Sequence, residues 1–175
     1  MRAALILAAI ALAAPKPDDY LPRWKDGQTW RVEYQHNQPN VEPAREVWLY
    51  HVRALPQQGG WVLTITPPLP TRRYEVTLSP RLEVVKVMHQ AEKAPALAVI
   101  NDAESGGYRA DSIRAPLLDW PDWAAGQLDK KSYKLSIERR GFGGFRSTFI
   151  WRKGKPWWSE AERRYGDTSV TARLL

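Results

Sequence analysis

Polar and apolar residues alternate with a period of two through most of the chain. In residues 29–36, Trp30, Val32 and Tyr34 share one side, and Arg31, Glu33 and Gln35 the other. Successive side chains of an extended strand point to opposite faces, so this segment predicts a strand with one buried face. Residues 46–54 carry β-forming residues on both faces, and residues 61–66 hold Trp61, Leu63 and Ile65 in phase. The turn residues from Pro56 to Gly60 between them predict a hairpin. Pro67, Pro68 and Pro70 then exclude a central strand, because proline has no N–H for a ladder. A second hairpin follows. Tyr74, Val76 and Leu78 alternate with polar residues over 72–79, Ser79-Pro80-Arg81 turns the chain, and 82–88 return as a strand.

The middle of the chain is less periodic. Pro95 followed by Ala-Leu-Ala-Val-Ile fits a short helix or a short strand. Residues 101–107 read as a polar loop and 108–114 as a weak strand. Residues 119–129 predict one helix, with Asp119 as its N-cap, Pro121 in the first turn and Trp120, Trp123, Ala124 and Leu128 on one face. Gly126 keeps that helix short. Residues 132–138 and 145–153 alternate again around a turn holding Gly141, Gly143 and Gly144. Residues 157–164 fit a short strand or one helical turn, and Ser169 to Leu174 form a last strand. The expected fold is mainly β. An antiparallel meander forms a curved sheet or an incomplete barrel with one short helix, and a two-sheet β sandwich is the alternative.

The first residues depart from this pattern. Met1-Arg2 carries one charge, residues 3–14 are Ala, Leu and Ile only, and Pro15-Lys16-Pro17-Asp18-Asp19 ends the run. That order is a secretory signal peptide, with Ala11-Leu12-Ala13 as the small-x-small site and cleavage expected after Ala13. A twelve-residue helix covers about 18 Å, short of the ~30 Å hydrocarbon core, and no later stretch is long and apolar enough to span a bilayer as a helix. The organisation read from this is a signal peptide at 1–13, a poorly ordered entry arm at 14–27 and one β-rich domain at 28–175. A periplasmic or extracellular location follows from the leader.

Composition narrows the chemistry. The 175 residues include no cysteine, so no disulfide framework, thiol nucleophile or Cys-ligated metal is available. The formal charge is +7 and it is unevenly placed. Residues 130–175 hold 12 Lys and Arg against 4 Asp and Glu, whereas residues 1–129 hold 14 against 15. A basic face attracts anions and also discourages edge pairing of strands. Outside the cytosol the expected partners are an anionic lipid headgroup, a glycan or an envelope protein. Nucleic acid is not among them, and the Arg139–Arg146 segment reads as a hairpin turn.

Nine tryptophans are many for this length. Trp30, Trp61, Trp151, Trp120 and Trp123 lie in phase with apolar neighbours and read as core. Trp24 reads as a clasp over the mouth of the sheet. Trp157 and Trp158 are adjacent, and on a strand one of them would be exposed. They stand among Arg152, Lys153, Lys155, Arg163 and Arg164, and an exposed indole beside cations suits a sugar or a headgroup. These seven residues are the candidate ligand- or partner-binding set.

No catalytic constellation is legible. His36, His51 and His89 lack metal-site spacing, and the nucleophile-elbow and phosphate-loop motifs are missing from the sequence. The reading expects no cofactor and no metal, and favours a binding protein over an enzyme. The outline of signal peptide, antiparallel meander and one or two helices is similar to the carrier folds that shield lipoprotein acyl chains in the periplasm. That resemblance is one of outline and carries no residues across. Strand alternation, abundant tryptophan and the positive last quarter lead to the expectation of an exported envelope binding or carrier protein, with an apolar or lipid-like ligand on a concave face. An interaction protein of an envelope complex and a glycan-binding module are the alternatives. An open apolar cavity would indicate the carrier, a filled face the interaction protein, and a polar cleft with close carboxylates an enzyme.

Overall fold

A computed structural model of the chain describes residues 15–68, 72–91, 97–99, 126–138 and 146–175. The leader, the loop and weak strand expected between 101 and 114, the first half of the expected helix and the 139–145 turn lie outside the described residues.

Eleven strands form one antiparallel sheet among the described residues. They are β1 (Thr29–Gln38), β2 (Val41–Leu55), β3 (Gly60–Thr66), β4 (Arg72–Leu78), β5 (Val84–Ala91), β6 (Leu97–Val99), β7 (Gln127–Leu128), β8 (Tyr133–Glu138), β9 (Arg146–Trp151), β10 (Glu160–Tyr165) and β11 (Thr168–Leu174). Their order is β6-β5-β4-β3-β2-β1-β11-β10-β9-β8-β7. Two meanders are thus joined at the centre, where β1 pairs with β11 from Val32↔Leu174 to Asn37↔Ser169. β6 and β7 stand at opposite edges, so the sheet is not closed into a barrel. The fold is the curved antiparallel sheet that the alternation predicts, and the two-sheet sandwich does not form among these strands.

The faces follow the sequence phase. Trp30, Val32 and Tyr34 of β1, Leu63 and Ile65 of β3, and Tyr74, Val76 and Leu78 of β4 are all buried on what we call the inner face. Removing roughly 200 Å² of a tryptophan from water stabilises by an upper bound of about 5 kcal/mol, so each ring buried on this face contributes strongly to folding.

Several local expectations are corrected. β2 starts at Val41, five residues earlier than the sequence reading, because Pro39-Asn40 makes a tight turn from β1. Asn40 takes φ 59°, a left-handed conformation that asparagine tolerates. β5 starts at Val84, since Leu82 turns the chain at φ 64° while its side chain is buried. Residues 97–99 are a strand, paired with Val87, Met88 and His89. The end of the expected helix is also a strand: Gln127 and Leu128 pair with Lys134 and Tyr133. Gly126 there does not weaken a helix. Its N–H donates to the Tyr133 hydroxyl at 2.8 Å, and a Cβ at 126 would collide with the Tyr133 ring.

The arm is packed. Pro17–Tyr20 form one 3₁₀ turn, closed by the Asp19 carboxylate accepting from the Lys16 N–H at 3.0 Å. Tyr20 is buried and its hydroxyl donates to the Asp129 carbonyl at 2.9 Å. The expectation of a poorly ordered arm fails because these apolar residues find places against the sheet. Among the described residues no helix is long and apolar enough to cross a membrane.

Candidate functional site

The inner face presents a continuous layer of aromatic rings. Strands supply Trp30, Tyr34, Trp48, Tyr50, Phe149 and Trp151, and loops supply Trp24, Trp157 and Trp158. Trp157 is the hub. Its ring centroid lies 5.6 Å from Tyr50, 5.6 Å from Trp151, 5.9 Å from Trp30 and 6.2 Å from Trp24. Trp158 meets Tyr34 edge-on at 6.4 Å and Phe149 at 6.3 Å. Beyond Tyr34 the layer continues through Trp48 at 4.7 Å to Tyr74, stacked on Trp48 at 6.2 Å.

Trp157 and Trp158 are both only 1% exposed, which corrects the expectation that one faces solvent. That expectation assumed a strand. The pair instead lies in the bent connection between β9 and β10, ahead of Glu160, where neighbouring side chains need not oppose each other. Trp24 is not a clasp over an open mouth. It stacks within the layer on Trp30 at 5.9 Å and meets Trp61 edge-on at 5.7 Å. Its indole N–H donates to the Pro156 carbonyl at 2.6 Å.

Polar atoms are few within this layer. The Tyr34 and Tyr50 hydroxyls share a hydrogen bond at 2.5 Å. Burial, and then the neighbouring Tyr34, push the Tyr50 phenol well above its ordinary range, so it stays neutral. The indole N–H groups of Trp30 and Trp158 meet no acceptor among the described residues. Near the far end of β1, the Trp48 indole donates to the Glu46 carboxylate at 3.0 Å, and His36 lies 3.8 Å from the same carboxylate.

The predicted cations do not form one cluster. Arg152 pairs with Glu160 at 2.9 Å, Lys153 with Asp19 at 3.0 Å and Arg164 with Glu162 at 2.7 Å. Lys153 also stands 5.6 Å over the Tyr20 ring. Arg163 shares the phase of buried Ala161, and its Nε donates to the buried Ser147 hydroxyl at 3.1 Å. Arg164, the next residue, points to the opposite face. Lys155 and Arg152 instead line an open groove of about 1000 Å³ that crosses the outer face of β1, β11, β10 and β9.

The sequence reading missed Trp48 and Tyr50 as members of the inner layer. The signal was present, since Trp48, Tyr50 and Val52 repeat at every second position. Apolar neighbours on the other phase, Val47 and Leu49, masked it, and these are exposed.

No family model matches the chain, and neither does any curated protein. Two solved structures are similar in outline. One is a DUF1329 family protein from Desulfovibrio piger, at 7% identity over 84% of this chain and 82% of that one, with a TM-score of 0.45. The other is a LolA superfamily protein from Nitrosomonas europaea, at 8% identity over 91% and 88% of the two chains, with a TM-score of 0.41. Likeness at this level carries no argument about function.

Proposed function

We propose that the protein is an exported carrier of the cell envelope that holds an apolar, lipid-like ligand against the inner aromatic face. One observation carries this reading. The centre of that face is filled by tryptophans from outside the sheet, Trp24 from the arm and Trp157 and Trp158 from the β9–β10 connection. Rings borne on loops can withdraw without breaking a ladder, and the strands beneath would remain as an aromatic floor. The two covers are linked to each other through the Trp24–Pro156 hydrogen bond and the exposed Lys153–Asp19 pair, while Tyr20 and Ser159 tie them to the sheet on either side. An exposed pair of that kind is screened by solvent, so it latches weakly.

The test is uptake of a fluorescent fatty acyl probe by delipidated, folded protein. Saturable binding at micromolar probe supports the carrier, and no binding removes it. N-terminal sequencing of exported protein tests the location, with a start at Ala14 expected and a start at Met1 contradicting it.

A second reading has its own support. The inner face is filled by its own side chains, which by the criterion above indicates an interaction protein of an envelope complex. Failure of probe uptake, together with co-purification of a partner that depends on Arg152 or Lys155, would establish that reading instead.

A further inference from the structure

The outer-face groove is separate from the inner aromatic layer, and its side chains are ordered by strand register. One row across the strands reads Arg45, Gln35, Thr171, Glu162 and Thr148. The next reads Glu33, Arg173, Glu160 and Ile150. Each glutamate lining the groove is matched by an arginine: Glu33 with Arg173 at 2.8 Å, Glu160 with Arg152 at 2.9 Å and Glu162 with Arg164 at 2.7 Å. Two lining cations, Arg45 and Lys155, have no carboxylate within ion-pair distance among the described residues. They sit at opposite ends. Arg45 is on β2 and Lys155 is in the β9–β10 connection, separated by three strand spacings, about 14 Å or more.

We propose that this groove binds an extended acidic saccharide chain, with Arg45 and Lys155 each meeting an anionic group and Gln35, Thr148 and Thr171 meeting ring hydroxyls. The charge pattern selects an elongated ligand with an anionic group toward each end, because the two lining cations without an ion-pair partner stand at the ends and not the middle. The middle selects a saccharide over an acidic peptide. Threonine hydroxyls and a glutamine amide both donate and accept, as sugar hydroxyls do. A peptide backbone would seek N–H and C=O partners, but the floor is a sheet face whose backbone groups are already used by the ladders. Ile150 offers aliphatic contact for the C–H face of a sugar ring.

The experiment is a titration of the purified protein with a fluorescein-labelled uronic-acid hexasaccharide. Comparison probes are a neutral glucose hexasaccharide, poly-glutamate and phosphatidylglycerol vesicles. Saturable binding of the uronate that weakens with salt is expected, with the neutral sugar silent. Arg45→Gln and Lys155→Gln should each weaken it about fivefold, and the double variant should approach background, with melting temperature and acyl-probe uptake unchanged. No uronate binding, or binding that survives the double variant, overturns the groove. Equal binding of poly-glutamate or of the vesicles overturns the saccharide.

Discussion

The Trp24 indole donates to the Pro156 carbonyl at 2.6 Å, and the two flanking segments also meet through Lys153 and Asp19 at 3.0 Å. An arm near one end of the chain and a connection near the other are thereby tied together over the sheet. Trp24→Ala removes the ring from its contacts with Trp30, Trp61 and Trp157 and is expected to destabilise by about 3–5 kcal/mol. Trp24→Phe keeps most of the stacking and loses the hydrogen bond, at about 1 kcal/mol. Urea unfolding of the two variants separates packing from the polar tie.

The buried Tyr34–Tyr50 hydroxyl pair is a second test of the inner layer. Each single Phe variant leaves one buried hydroxyl short of its partner, whereas the double variant removes both. A double-mutant cycle should give a favourable coupling of about 1 kcal/mol. Strictly additive losses would show that the 2.5 Å contact contributes nothing to stability.

Acid should loosen the arm before it unfolds the sheet. The Asp19 carboxyl is held below its usual range, first by the Lys16 backbone N–H and then by Lys153. Asp129 is held low, first by the Ser132 hydroxyl and then by the backbone N–H groups of Lys131 and Ser132. A carboxylate with a lowered folded pKa contributes stability that is complete above its unfolded value, near 3.9, and is lost as pH falls through the folded value. The tie that these two carboxylates give the arm is therefore expected to be independent of pH above about pH 5 and to weaken progressively below about pH 4. Trp fluorescence through this range should show a step ahead of far-UV loss, and Asp19→Asn should abolish its Asp19 part.

Gly126 carries a steric prediction. Gly126→Ala places a Cβ into the Tyr133 ring, a rigid neighbour whose hydroxyl accepts from the Gly126 N–H. A loss of about 1–3 kcal/mol is expected, as for overpacking. Relief on adding Tyr133→Leu to the Gly126→Ala variant would identify the ring as the cause.

The fold was largely legible because burial on one face of a sheet imposes a period of two, and β1, β4 and β9 show it without exception. What failed was local. The sequence pattern puts Leu128 on a helical face with Trp120, Trp123 and Ala124, but it pairs with Tyr133 at the sheet edge. Arg163 and Arg164 are neighbours in one patch by sequence, but adjacent strand positions send them to opposite faces. That same strand rule fails at Trp157 and Trp158 because the segment bends ahead of Glu160. The groove could not be read at all. Its residues come from β1, β2, β9, β10 and β11, and only the central β1–β11 pairing, between strands from opposite ends of the chain, brings them to one face.

The claim that the inner face opens by withdrawal of loop-borne tryptophans is tested most directly by tying the covers shut. The chain has no cysteine, so Asp19→Cys/Lys153→Cys offers one unambiguous pair for a short bis-maleimide. The measurement is energy transfer from tryptophan to a dansylated fatty acid, titrated into the protein before and after bridging. The account predicts saturable uptake by the unbridged double variant and loss of uptake once it is bridged. Equal uptake by both forms would contradict it.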